Sequence, residues 1–384
     1  MTAIRIEQIE LRHIAMPLVA PFETSFGVET EREGLIVTLR GDGLTGWGEV
    51  VASRNPGYSP ETAKTEWHIL QDFMVPDVLG KAFRDVEALE QAYAGVRGHL
   101  MAKAGIQAAF YDLLGQAQGK SLQKLLGGKG KTVKVGVSVG IQPTTAVLVE
   151  RVGQYIEEGY KRIKIKIKPG RDVADARAVR AAFPEILLQV DANSAYTLDD
   201  VEIIKQMDDL NLLLIEQPLA DDDIFDHAKL QPQLKTPVCL DESILSARHA
   251  RWAHELGACQ MINIKPGRVG GLREGVRIHD YCAEVGLPVW QGGMLETGIG
   301  RAANLALASL PNFKLPGDIS ATKRYWQEDI IEELFELNRD GSITVPTQPG
   351  LGVTVNEKVL EKVTIRKEFY RAIEKKVVGF GGKR

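Results

Sequence analysis

From residue 133 to about 315 the chain repeats one unit: a short β-branched run, then a stretch with helical period. That repeat limits the available folds more than any other feature. The runs at 133–140, 162–168, 186–193, 212–218, 237–243, 260–266 and 287–293 each precede a helical segment, and a weaker eighth run lies near 313–315. Strands alternating with helices at near-constant spacing imply parallel strands joined by helical crossovers. A closed (β/α)8-type barrel and an open doubly wound sheet both fit, and the count favours the barrel. An open nucleotide-binding sheet carries a glycine fingerprint in its first βα turn. Here that turn reads Gly140-Ile141-Gln142-Pro143, and a helix-entry turn accounts for Gly267, Gly270 and Gly271.

Residues before 129 follow another pattern. Strand-like stretches at 4–14, 34–40 and from 47, with a turn signal at Gly41-Asp42-Gly43, precede helical stretches at 60–79 and 101–118. Strands first and helices after describe an α+β unit. The expected organisation is α/β overall: an α+β capping domain at 1–128, a barrel domain at 129–325, and a C-terminal segment at 326–384 returning toward the cap.

Composition excludes several classes. Of 384 residues, 44% are hydrophobic and 26% charged, so the chain is globular rather than disordered. With 47 basic and 51 acidic residues the net charge is −4, which gives no general attraction to nucleic acid or to an anionic membrane. No apolar stretch is long enough to span a bilayer. Three scattered cysteines, Cys239, Cys259 and Cys282, make neither a disulfide framework nor a thiolate zinc site. With no secretory signal visible, a cytoplasmic protein acting on a small molecule is expected.

The chemistry lies at the ends of the repeated runs. Lys166, Asp191, Glu216, Asp241 and Lys265 close successive runs, 25 residues apart as far as Asp241 and 24 from there to Lys265. In a parallel barrel all five share the carboxyl-terminal face, where active sites sit. A lone acid there reads equally as a helix cap. Three on neighbouring strands repel one another and need a cation. Two Asp and one Glu, with no His or Cys in the motifs, favour Mg²⁺ (or Mn²⁺) over Zn²⁺.

Residues 162–168 read Arg-Ile-Lys-Ile-Lys-Ile-Lys. Side chains alternate along a strand, so Ile163, Ile165 and Ile167 face the helices while Lys164 and Lys166 point into the barrel. Lys168 falls past the strand end, in solvent. An edge strand gives the same alternation, but a barrel strand has no wet face. A buried lysine is costly unless used. Desolvation and neighbouring cations lower its pKa toward that of a general base. The second and sixth strands of an eight-stranded barrel are opposed, so Lys166 and Lys265 face each other. Such a pair suits removal of a proton from one face of a carbon and its return to the other.

These residues resemble a known family. Lys164-Ile165-Lys166, Asp191-Ala192-Asn193, Glu216-Gln217-Pro218, Asp241-Glu242-Ser243 and Lys265, with Leu125-Leu126-Gly127-Gly128 closing the first domain, are similar to the enolase superfamily, muconate-lactonizing subgroup. The segments 292–301 and Pro316-Gly317-Asp318-Ile319-Ser320 resemble more narrowly the o-succinylbenzoate synthase / N-succinylamino acid racemase family. The resemblance implies a modified, enolase-like barrel in which Asp191, Glu216 and Asp241 bind Mg²⁺. It makes Lys166 and Lys265 the acid/base pair, with Lys164 holding the substrate carboxylate and tuning Lys166. It further implies substrate contacts at Ser138, Asn193, Arg268, Gly293 and Met294, and first-domain lid loops near 20–28 and 50–58 carrying Phe22, Phe26 and Tyr58. Homo-oligomers are usual in the family.

The implied reaction is abstraction of the proton α to a carboxylate, leading to racemisation of N-succinyl (N-acyl) amino acids or to syn-dehydration to o-succinylbenzoate. A dipeptide epimerase of the same subgroup requires a further acid where this chain has Ser320. A muconate cycloisomerase keeps the same lysines and acids, and only the 292–301 segment opposes it. An inactive binding barrel has no need to retain all five residues.

Overall fold

The computed structural model describes residues 3–372. The cap is built on a four-stranded antiparallel sheet. Strands β1 (Gln8–Thr24), β2 (Gly27–Gly41) and β3 (Leu44–Val50) form a meander. The turn between β2 and β3 places Asp42 at φ 52° and Gly43 at φ 76°, the two positive values that a type I′ hairpin requires. The long helix Leu100–Gln118 lies directly on β3. Its Gly105 packs against Val50, and a side chain at Gly48 would collide with the Gly105 carbonyl, so small residues on both elements set the close approach.

The barrel has seven parallel strands in sequence order: β4 (Val137–Val139), β5 (Arg162–Lys166), β6 (Leu187–Asp191), β7 (Ile215–Glu216), β8 (Val238–Leu240), β9 (Met261–Ile264) and β10 (Val289–Gln291). Ile163, Ile165 and Ile167 are fully buried. The eighth position holds no regular strand. Residues 313–318 close the ring with single parallel bridges, Phe313 to Val289 on one side and Gly317 to Val135 on the other. The continuous run expected at 133–140 is two pieces. Thr132–Lys134 pairs antiparallel with Ser342–Thr344, and only Val137–Val139 joins the barrel. The break falls at Gly136, where any side chain would strike the Arg162 guanidinium.

Strand β11 (Thr364–Arg371) returns to the cap and pairs antiparallel with β1, completing its sheet. Residues 373–384 of the expected C-terminal segment lie outside the described residues. The three cysteines are buried and unpaired. Among the described residues no helix is long and apolar enough to cross a membrane.

Candidate active site

The inward-facing ends of β5 to β9 bring the six charged residues of the sequence pattern to one mouth of the barrel. Register does most of the placing: Lys166 lies beside Asp191, and Asp191 beside Glu216. Asp241 and Lys265 stand one residue beyond β8 and β9. Lys164 Nζ lies 3.0 Å from Asp191 Oδ2 and 2.9 Å from Glu216 Oε2. Lys166 donates to Asp191 Oδ2 and to Asn193 Oδ1, each at 2.6 Å. Lys265 donates to Asp241 Oδ2 at 2.6 Å and to the Tyr58 hydroxyl at 3.1 Å.

All six are buried, and burial pulls the lysines in different directions according to their neighbours. Lys166 is held below the ordinary lysine range because desolvation outweighs the attraction of Asp191. Lys265 suffers the same desolvation, but Tyr58, Glu242, Glu216 and Asp191 outweigh it and raise its pKa. Lys164 is raised by Asp318, Glu216 and Asp191 against its own desolvation. Burial pushes Asp191 up, yet Lys166 and Lys164 hold it below the usual carboxylate range. Glu216 is raised, by burial first and by Asp191 second.

Among the described residues no three acid, His or Cys groups close around one point; each acid instead faces a lysine. The donor set nevertheless fits a hard divalent cation. It is all oxygen, carries three negative charges on adjacent strand ends, and leaves the buried Asn263 Oδ1 unpartnered beside Glu216, to which Asn263 Nδ2 donates at 2.6 Å.

A cavity of about 80 Å³ opens above this floor, lined by Lys164, Lys166 and Lys265 and by Ser138, Asn193, Gly293, Met294, Phe22, Phe26 and Tyr58. Arg268 is the exception among the expected substrate contacts. It does not line the cavity but lies behind it, ion-paired to Asp241 and donating to the Ile244 and Asn263 carbonyls at 2.9 and 2.6 Å. Its place on the short helix Pro266–Val269 aims it at the back of the acid.

The two lid segments differ from each other. Residues 20–28 are no loop but the end of the β1–β2 hairpin, tipped by Ser25-Phe26. The tip is tied to the barrel: Ser25 Oγ donates to the Asn193 carbonyl at 3.1 Å, and Lys168 donates to Glu23 at 3.0 Å. Lys168, expected free in solvent, is therefore a cap contact. Tyr58 closes the irregular 51–58 segment, and its role is larger than packing. Its hydroxyl donates to Asp241 Oδ1 at 3.2 Å and accepts from Lys265 and, at 3.3 Å, from Arg268.

Two participants were not expected from sequence. Asp318, on the closing segment, lies 2.7 Å from Lys164 and 2.6 Å from Arg162, and accepts from Ser138 Oγ at 2.9 Å. Arg162 is the first inward residue of the Arg-Ile-Lys-Ile-Lys series, and its parity with Lys164 and Lys166 was the available signal. Ser320 Oγ donates to the Gly136 carbonyl at 3.1 Å and does not line the cavity.

Comparison with known proteins agrees with this geometry. Residues 7–127 match the mandelate racemase / muconate lactonizing enzyme N-terminal domain, and residues 147–359 the enolase C-terminal domain-like family. The o-succinylbenzoate synthase of Geobacillus stearothermophilus is 51% identical over 371 residues, covering 96% of this chain and 99% of its own. The N-succinylamino acid racemase of Thermus thermophilus is 49% identical over 368 residues, covering 96% of this chain and 100% of its own. A solved enolase-superfamily member from Listeria innocua superimposes with a TM-score of 0.92 at 41% identity, over 96% of this chain and 99% of that one. The chain belongs to the enolase superfamily, within the family that its o-succinylbenzoate synthase and N-succinylamino acid racemase relatives define.

Proposed function

We propose that this enzyme abstracts the α-proton of N-succinyl (N-acyl) amino acids and delivers a proton to either face, and that the same site dehydrates the o-succinylbenzoate precursor. One observation carries this: Lys166 and Lys265 border one cavity, each at hydrogen-bond distance from an acid of the row between them. The lysine held low is the readier base, and the one held high the readier acid. Lys166 removes the proton of one enantiomer while Lys265 delivers one from the opposite side, and the roles exchange for the other enantiomer. In the dehydration Lys166 takes the α-proton and then gives it to the hydroxyl leaving from the same face, which departs as water, with the Lys265 ammonium stabilising the anion.

Lys164, fixed between Asp191, Glu216 and Asp318, holds the substrate carboxylate and keeps Lys166 in a field of like charge. Asp191, Glu216 and Asp241 would hold Mg²⁺, which when bound neutralises negative charge building on the substrate carboxylate. Phe22, Phe26 and Tyr58 shut the mouth against water. In this reading residues 1–128 are the cap, 129–325 the catalytic barrel and 326–384 the returning segment.

The test is a panel of free, N-acetyl and N-succinyl forms of the same amino acids, with apolar and aromatic side chains, compared by kcat/KM alongside the dehydration substrate. A free α-ammonium on the reacting carbon enters between Lys166 and Lys265, so free amino acids should be poor substrates. N-succinyl forms should racemise best and dehydration should be measurable. A free amino acid or a dipeptide as best substrate, with no dehydration, overturns the assignment.

A further inference from the structure

The cap side of the cavity wall contains a buried cation without an ion pair. Arg32, on β2, is 5% exposed and lines the cavity. Its Nη1 donates to Ser53 Oγ and its Nη2 to the Val51 carbonyl, both neutral groups of the 51–58 segment. Its Nε has no partner. Of the nearby carboxylates, Glu33 and Glu31 are committed elsewhere, while Glu29 lines the same cavity with its Oε2 unpartnered. Glu33 takes His13 at 3.0 Å and Arg54 at 2.5 Å, and Glu31 takes Arg54 at 2.8 Å. Glu29 accepts from Ser53 Oγ at 3.1 Å, so it is joined to Arg32 only through that hydroxyl. Among the described residues Arg32 forms no ion pair.

A buried guanidinium satisfied only by neutral oxygens pays its desolvation without a counter-charge. Three of its five N–H donors are unused, and the side chain lines the space the substrate must fill. An anionic group arriving there gains a charge-assisted hydrogen bond and relieves the uncompensated charge.

We propose that Arg32 binds the distal carboxylate of the succinyl arm, an assignment that rests on the N-succinyl reading above. The substrate then spans the cavity as a dicarboxylate. Its α-carboxylate lies at the Lys164 floor, its α-carbon between Lys166 and Lys265, and its second carboxylate at the cap. The o-succinylbenzoate precursor carries the same arm, so a single cation serves both reactions. Because Arg32 is held by Val51 and Ser53, filling this subsite also ties the 51–58 segment, and with it Tyr58, to the bound substrate.

The experiment uses N-succinylglycine and N-acetylglycine as probes, titrated calorimetrically into Mg²⁺-loaded wild type, Arg32→Gln and Arg32→Lys. Wild type should bind N-succinylglycine at least tenfold tighter than N-acetylglycine. Arg32→Gln should remove most of that gap, with N-acetylglycine binding showing that its site is folded. Arg32→Lys should recover part of the gap, because the charge returns without the guanidinium fork. A gap that survives in Arg32→Gln, or equal weakening of both probes, overturns the assignment. Racemisation of N-succinylphenylalanine and N-acetylphenylalanine separates the two levels of the reading. Comparable KM values for the two in wild type remove Arg32's role and leave the N-acyl racemase intact. No turnover of either removes the racemase reading and the subsite with it.

Discussion

Lys164 on the second barrel strand and Asp318 on the closing segment meet at 2.7 Å, across the seam where the ring has no regular strand. Asp318 also takes Arg162 at 2.6 Å, and both cations lie against the Trp290 ring, at 5.4 Å for Arg162 and 5.0 Å for Lys164. One carboxylate therefore offsets two buried cations and fastens the ring shut.

Removing that carboxylate leaves the buried Arg162 without an ion-pair partner and Lys164 with only Asp191 and Glu216. Breaking a buried charge pair from one side costs about 3–5 kcal/mol. Asp318→Ala should lose stability of that order in denaturant unfolding, and Asp318→Asn less, because its amide oxygen still accepts. A change in Asp318→Ala within about 0.5 kcal/mol, typical of a surface substitution, would show that the seam is held by its backbone bridges alone.

The acid trio should make activity depend on a divalent cation. Prolonged treatment with a strong chelator should abolish turnover, and Mg²⁺ or Mn²⁺ should restore it. Asp191→Asn, Glu216→Gln and Asp241→Asn should each weaken cation binding in titration calorimetry. Full turnover in rigorously cation-free enzyme would remove these acids from the role assigned to them.

The two lysines should divide their work by face. Lys166→Ala and Lys265→Ala should each lower racemisation by at least about 10²-fold, the lower end for a lost general acid or base. In deuterated water each variant should still exchange the α-proton of the single enantiomer that presents it to the remaining lysine, followed by ¹H NMR. If either variant exchanges both enantiomers at the wild-type rate, the opposed-base arrangement is wrong.

Much of this was legible in the sequence because strand periodicity and repeat length are local properties. The 25-residue spacing of Lys166, Asp191 and Glu216 is reproduced in the strand register, whereas Glu216 pairs with Cys239 and Asp241 stands two residues further on. What stayed hidden depends on contacts between distant segments. Asp318 stood inside a motif that resembled the family, but only ring closure brings it to Arg162 and Lys164. Arg268 was expected as a substrate contact on the family resemblance alone. The short helix beginning at Pro266 turns it behind Asp241 instead. The hairpin at 20–28 read as a loop because its glycine and aromatics mask the pairing of Phe22 with Glu29 and of Thr24 with Gly27.

The joint between cap and barrel should carry its own pH dependence. Glu49, next to last in the cap's β3, accepts from the barrel: from Thr297 N at 3.1 Å, from Thr297 Oγ1 at 2.6 Å and from Gly300 N at 3.0 Å, at the start of the helix Gly298–Ala308. Burial, helped by the charge of Glu296 and opposed by the Thr297 bonds, pushes its carboxyl from 4.5 up to about 7. Between those values the native state holds a proton that the unfolded chain has released, so stability must fall as pH rises through the window. At about 1.4 kcal/mol per pKa unit, the full span amounts to about 3 kcal/mol. Glu49→Gln keeps an acceptor and removes the titration. The stability of wild type relative to Glu49→Gln, measured by urea unfolding at intervals from pH 4.5 to 7.5, should decline steadily and level off above about pH 7. A difference that is flat or rises with pH would mean that the carboxylate is ionised throughout and that the helix start, not burial, governs it.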